Sequence, residues 1–379
     1  MEGKSWIKVL GVFGAGAVAT AFFFKGAPPH SLRILQGANL FDLGLAVLFF
    51  LLYLLCEGAT FRDLLGVQGE KVSLSRSTGY ALADVFFSNI SPGGSAGQPG
   101  QFFYMARDGI APATCMMSLT VFNLFYHVAM VGLVLLGFLL GHGSRIMAVG
   151  PMGWLVPLGT AAQILFILFQ GGLCFAPRIF TRLVLSLYRR LVKVRLFSRL
   201  TKKEAMLYEQ IDLFRRAGEE LRSHPRMMVS SGLGALGVLI CLYATTAFVA
   251  RSLGVVDLGF FDLILIQAIL RIAVESLPLP GSVGASEASL IAVGSFYMGP
   301  DRAFGWMFLS RLVSFYLGLL LGGLAVSFMK RRPASRVRIA SWRGKMNSMK
   351  DSVKARLPKD FSIVRKVPPV LRAELVEVS

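Results

Sequence analysis

Five ionisable side chains lie in or beside stretches that are otherwise apolar, and these residues are the best placed to do chemistry. Arg271 and Glu275 are four positions apart, so on a helix they share one face and can neutralise each other. Arg311 lies deep within a long apolar segment, where an unpaired charge is costly. We therefore predict a carboxylate partner for Arg311, with Glu287 as the leading candidate and Asp84 or Glu275 as alternatives. Such a pair either has a purely structural role or lines a binding site.

Two loops rich in proline and glycine interrupt apolar regions, at 91–101 (SPGGSAGQPGQ) and at 278–284 (PLPGSVG). Irregular backbone inside a membrane leaves N–H and C=O groups without partners, so it persists only beside protein or a water-filled cavity. A helix is predicted after each loop, with Pro99 at its first position in one case and Ser286 as its cap in the other. The free N–H groups of such helix ends favour an anion, for example a lipid phosphate.

Together, the loops and the ionisable residues predict one binding site for a lipid headgroup. Its assigned residues are Asp84, Asn89, Gly93, Gly94, Ser95, Gly97, Gln98, Gln101, Arg271, Glu275, Pro280, Gly281, Ser282, Gly284, Glu287 and Arg311. The role of Asp84 is open, because this residue can either face the cavity or cap a helix. His127 is expected to make a polar packing contact between helices.

Other chemistries fit the sequence poorly. The stretch GGSAG at 93–97 matches the G-x-S-x-G elbow of hydrolases, but that elbow follows a strand, whereas a membrane helix is predicted here. Neither glycine-rich loop is followed by the lysine of an ATP-binding loop. No catalytic residue and no cofactor are therefore assigned. A disulfide or a metal site is not expected either, because the cysteines are far apart and form no C-x-x-C pair: Cys56, Cys115, Cys174 and Cys241.

The composition is that of an integral membrane protein. The 379 residues are 54% hydrophobic and 16% charged, with a mean hydropathy of +0.62, whereas soluble domains carry about 25% charged residues. About 20 apolar residues are needed to cross a bilayer. Full spans are predicted at 6–24, 38–57, 112–140, 150–172, 227–250 and 303–329, and the two interrupted regions are 77–108 and 259–299. We expect the first span to be retained and not cleaved as a signal peptide.

The positive charge lies mainly in two segments beside the predicted spans. Residues 178–226 hold 13 basic and 5 acidic residues, a net of +8, and residues 330–379 hold 14 and 4, a net of +10. The positive-inside rule and binding to anionic headgroups account for both segments, and no nucleic-acid partner is expected. With both segments cytoplasmic, 259–299 must enter and leave from the outside and 77–108 from the cytoplasm. Both termini are then cytoplasmic, in a plasma-membrane protein.

This topology predicts an inverted repeat. A span, a hairpin and a span form the first unit, at about 38–140, and the same order in the opposite orientation forms the second, at about 227–329. The basic segment 173–226 connects the units, and 330–379 is a basic tail. Broken helices at matching positions of inverted repeats are typical of transporters. The predicted fold is therefore all-α and polytopic, with six full spans and two opposed re-entrant hairpins.

Three blocks resemble the membrane domain of the lysylphosphatidylglycerol synthase family, also called flippase-like integral membrane proteins. They read SPGGSAGQPGQFFYMARDGI, LPLPGSVGASEASL and FLSRLVSFYLGLLLGG, within a similarity over most of 6–329. The second block is the most distinctive, since its glycines and Glu287 match the family's Pro-Gly-Gly-x-Gly-x-x-Glu, with Ser282 replacing a glycine. Arg311 matches the family's arginine in the last span. The first block departs, because relatives often show Gly-Glu-Pro-x-Arg where this chain has GQPGQ at 97–101.

The resemblance implies that the protein handles membrane lipids. In full-length relatives a separate soluble domain performs lysyl transfer, and the 50 residues after the last predicted span are too few for such a domain. We expect a transporter that moves a phospholipid or a polyprenyl-phosphate-type lipid between leaflets. The alternative is a membrane subunit or platform of phosphatidylglycerol lysyltransferase-type modification, linked to cationic-peptide resistance. A homo-oligomer and a separate lipid-modifying enzyme both stay open as partners.

Overall fold

In the part of the chain that the structure describes, every regular element is helical. The computed structural model describes residues 28–91, 94–176, 221–275 and 284–329, with a few positions between 179 and 219 and Leu277. Twelve α-helices have both ends among these described residues: α1 Ser31–Gln36, α2 Leu40–Val67, α3 Leu74–Asn89, α4 Gly97–Arg107, α5 Pro112–Leu139, α6 His142–Met147, α7 Met152–Phe175, α8 Pro225–Ser252, α9 Phe260–Glu275, α10 Ala285–Met298, α11 Pro300–Arg311 and α12 Leu317–Phe328. A π-helical turn, Leu312–Tyr316, joins α11 to α12.

Five of the predicted spans are long apolar helices. They are α2, α5, α7, α8 and the continuous run from Pro300 to Phe328, each long enough to cross a bilayer. The predicted span 6–24 and most of the two basic segments lie outside the described residues. The predicted end of the second span at residue 57 is wrong, because α2 continues to Val67. The helix continues because Glu57 and Thr60 are buried against neighbouring helices and do not mark a membrane surface.

Both interrupted regions consist of two shorter helices separated by a break. Helices α3 and α4 flank the first loop, and α9 and α10 flank the second. The predicted helix starts need correction. Helix α4 begins at Gly97, so Pro99 is its third residue, and α10 begins directly after Gly284, so Ser286 lies inside the helix and is not its cap. The carboxylate of Glu287 makes that cap, since its Oε2 accepts a hydrogen bond from the Gly284 N–H at 2.7 Å.

Most helices of the bundle pack against several others. Helices α2 and α8 form the most extensive pair, α3 packs against α12, and α9 packs against α5. Small residues allow close approach at the crossings, as is common in membrane bundles. A Cβ at Gly58 would lie 2.7 Å from the backbone nitrogen of Thr78, and a Cβ at Gly159 would lie 2.1 Å from the Ile272 carbonyl oxygen. These glycines therefore set the distance of α3 from α2 and of α9 from α7.

Site-directed labelling checks the predicted orientation, which is based on charge asymmetry. In a variant without native cysteines, a cysteine at Ser144 should react with an impermeant thiol reagent on intact cells, because Ser144 is exposed on α6. Cysteines at Ser198 and Ser348, which lie outside the described residues, should react only after the cells are permeabilised. Labelling of Ser198 from the outside would contradict the opposed hairpins.

Candidate functional site

Arg311 pairs with Glu287, the partner that the sequence favoured. The Arg311 Nε lies 2.8 Å from the Glu287 Oε1, and the two side chains are 13% and 8% exposed. The guanidinium also lies over the ring of Phe315, 5.4 Å from its centroid. Because Glu287 binds Gly284 with its other oxygen, the pair connects the end of the second loop to the last span.

A second arginine is held more loosely. Arg271 lies 3.7 Å from Glu275, one turn later on α9, which confirms the predicted pairing. Side chains from α2, α5 and α8 are close enough to act electrostatically on Arg271, namely those of Tyr53, Tyr126 and Tyr243. Nevertheless, 42% of the Arg271 side chain and 24% of the Glu275 side chain are accessible. The surrounding groups therefore do not enclose the arginine completely.

Asp84 does not cap a helix and lies on the side of α3 that is close to Arg271. It lies in the body of α3, whose N-terminal cap is Ser73, and it interacts electrostatically with Arg271. Gly97, at the start of α4, permits this arrangement. A Cβ at Gly97 would lie 2.5 Å from an Asp84 carboxylate oxygen and 2.0 Å from the Ser88 hydroxyl. The first loop therefore closes directly onto Asp84.

Glu57 is a member of the site that the sequence prediction missed. It is 3% exposed, its Oε1 accepts a hydrogen bond from Gln101 at 3.3 Å, and it interacts with Tyr53 and Asp84. The available signal was a single carboxylate one turn after a tyrosine in a long apolar run. The predicted span 38–57 ends at this carboxylate. Its contact with Gln101 shows that it lies inside the bundle.

The remaining predicted residues lie around this group. Gly94 has a φ of +68° and Gly284 a φ of +87°, so both loops use the left-handed conformation that favours glycine. Ser95 is exposed, and Gln98 is an exposed residue that donates a hydrogen bond to Asn123 at 2.8 Å. The Nδ2 of Asn89 is buried without a hydrogen-bond partner among the described residues. Four predicted positions lie outside the described residues: Gly93, Pro280, Gly281 and Ser282.

Polar contacts at the far end of the first hairpin hold it in place. Asp108 receives a bidentate contact from Arg76 and a 2.6 Å hydrogen bond from the Tyr80 hydroxyl, which joins the end of α4 to the start of α3. Arg107 donates to the carbonyl of Met329, just after α12. The sequence analysis did not assign these residues. They fix the hairpin against the last span while the loop end contacts Asp84.

The histidines have packing and pairing roles. As predicted, His127 makes a packing contact, with its ring 4.8 Å from that of Phe166 on α7. His142 Nε2 lies 3.1 Å from Asp262, which joins α6 to the start of α9. Helix α3 precedes the G-x-S-x-G stretch, so that stretch lacks the strand that a hydrolase elbow requires.

The fold and this site define a polytopic helical membrane protein with ionisable residues grouped inside its bundle. The chain belongs to the lysylphosphatidylglycerol synthase TM region family, whose model matches residues 5–322. This match confirms the resemblance described above and covers all of the site residues. A search of curated proteins finds no match.

Proposed function

We propose that the protein moves a phospholipid or a polyprenyl-phosphate-type lipid between the leaflets of the plasma membrane. The supporting observation is the accessible Arg271, which lies inside the bundle among tyrosines of three other helices. A guanidinium binds phosphate through two parallel hydrogen bonds. The Tyr243 hydroxyl is buried without a hydrogen-bond partner among the described residues, so it can donate to the same phosphate.

The difference between the two arginines suggests their roles. Arg311 makes a 2.8 Å contact and is almost buried, whereas Arg271 lies 3.7 Å from its carboxylate and is partly accessible. In our proposal Arg271 exchanges Glu275 for the lipid phosphate, and Arg311 holds the second loop in position. Arg271 itself then has an anionic partner at every stage, which lowers the cost of keeping its charge in the membrane interior.

The proposal includes the inverted-repeat architecture. The reciprocal packing of α3 on α12 and of α9 on α5 supports it, because each hairpin then contacts the last span of the other unit. Broken helices that meet near the midplane are the usual location of a transporter's substrate site. Both termini are placed in the cytoplasm, and the basic segments 178–226 and 330–379 are proposed to bind anionic headgroups.

A second candidate function follows from the family description, which names a lipid synthase region. In this alternative the same site holds a lipid for a separately encoded transferase and does not carry it across. Purified protein in liposomes separates the two. We expect labelled phosphatidylglycerol or polyprenyl phosphate to change leaflets without any partner protein, and Arg271→Gln to abolish the movement. Stable lipid binding without movement would favour the platform.

A further inference from the structure

We infer that Glu57 and Asp84 form a proton-binding site that couples lipid movement to the proton gradient. The coupling rests on the proposed lipid transport, whereas the proton site rests on where the helices place the two carboxylates. The two carboxylates come from α2 and α3, and both lie against the start of α4. Gln101 donates a hydrogen bond to the Glu57 Oε1 at 3.3 Å, and a Cβ at Gly97, one turn earlier, would lie 2.5 Å from the Asp84 Oδ1. Tyr53, one turn before Glu57 on α2, is a second polar neighbour of this carboxylate.

The two carboxylates carry more negative charge than the neighbouring cations can neutralise. Arg271 acts on Asp84, but Arg271 already has Glu275 as its ion-pair partner. Within the described residues no cation acts on Glu57. Two neighbouring carboxylates in a low-dielectric site cannot both be ionised without a large cost, so they share a proton.

Among the described residues, the electrostatic neighbours that other helices bring to the pair include tyrosines. Tyr126 from α5 interacts with both carboxylates, and Tyr243 from α8 interacts with Tyr126, Arg271 and Glu275. Helix α12 has no ionisable side chain. Tyr243 is 1% exposed, and its hydroxyl has no hydrogen-bond partner among the described residues. This free donor is available to a polar ligand.

The direction of coupling follows from the thermodynamic linkage between proton binding and lipid binding. When a lipid phosphate binds Arg271, it offsets the positive charge that favours ionised Asp84, so the pair binds its proton more tightly. By reciprocity the protonated pair binds the lipid anion more tightly. The lipid and the proton therefore cross in the same direction, and the lipid accumulates in the leaflet that faces the more alkaline solution. With one proton per lipid, each unit of pH difference shifts the leaflet ratio about tenfold.

Infrared spectroscopy on the purified wild-type protein tests the proton site without any transport. At neutral pH we expect the carbonyl stretch of a protonated carboxylic acid, and we expect it to be lost in the double variant Glu57→Gln, Asp84→Asn. Each amide is close in shape to the acid it replaces, and thermal unfolding checks that the variants fold. Asp63→Asn is the matched control, because Asp63 is an exposed carboxylate paired with Arg62, and its band pattern should equal that of the wild type. An unchanged spectrum in the double variant overturns the site.

Liposomes with an imposed pH gradient test the coupling. Labelled anionic lipid should accumulate in the leaflet facing the alkaline side with the wild-type protein and with Asp63→Asn. In the double variant the lipid distribution should not respond to the gradient. Lipid movement that ignores the pH gradient, or that follows a sodium gradient, overturns the coupling. If the wild-type protein shows the infrared band but moves no lipid, the proposed transport fails while the proton site stands.

Discussion

Replacing Arg311 with glutamine is expected to lower the free energy of unfolding by about 3–5 kcal/mol, because the Glu287 carboxylate then stays buried without its cation. The two side chains are nearly enclosed and 2.8 Å apart, so solvent screens the interaction little. Glu287→Gln should be costly for the same reason, since it leaves the guanidinium unpaired. Equilibrium unfolding in detergent micelles measures both effects.

The double variant decides what the pair does. Glu287→Gln together with Arg311→Gln removes both charges, and the amide oxygen at position 287 can still accept the hydrogen bond from the Gly284 N–H. We therefore expect most of the stability and most of the lipid movement to return. The exposed pair of Arg62 and Asp63 supplies the control, since Arg62→Gln should change stability by less than about 1 kcal/mol. A folded double variant that moves no lipid would instead make Arg311 the phosphate ligand.

Replacing Gly94 or Gly284 with valine should reduce lipid movement severely in protein that still inserts and expresses. Both glycines have positive φ angles, and holding another residue there costs on the order of 1–3 kcal/mol. Valine is among the least suited residues because it is branched at Cβ. The strain moves the loop backbone beside Asp84 in the first case and beside Glu287 in the second. Liposome assays at matched protein amounts measure the loss.

Gly69 supplies the control for backbone strain. Its φ is +83°, it is exposed in the turn after α2, and a Cβ there would meet nothing within 4 Å. Gly69→Val should cost a similar amount of stability and leave lipid movement near the wild-type rate. Equal losses of movement in all three variants would trace the effect to general instability, and full movement in the two loop variants would remove the loops from the mechanism.

The sequence predicted the features that depend on local composition or on charge neutrality. Long apolar runs predicted five spans that are seen as helices, and proline with glycine predicted both breaks. The pairing of Arg311 with Glu287 was predictable because a cation inside an apolar span needs a counter-charge.

The missed features depend on contacts between distant parts of the chain. The burial of Glu57 within the bundle was not predictable, because its hydrogen-bond partner Gln101 lies on a different helix, α4. Tyr53, Tyr126 and Tyr243 became site residues only when three separate helices placed them around Arg271. The start of α4 at Gly97 was also missed, since Pro99 is compatible with several positions in the first turn of a helix.

The π-helical turn at Leu312–Tyr316 gives the last span a point about which its two halves can rotate relative to each other. A π turn contains one residue more than the α turn it replaces, which offsets the side chains on its two sides by about 100° relative to a continuous helix. If this surplus residue moves along the span, one half rotates about its axis relative to the other and few hydrogen bonds break. Arg311 is the last residue before the turn, whereas α12, after it, packs on α3. The second loop is thus attached to the half of the span before the turn, and the first hairpin is attached to the half after it.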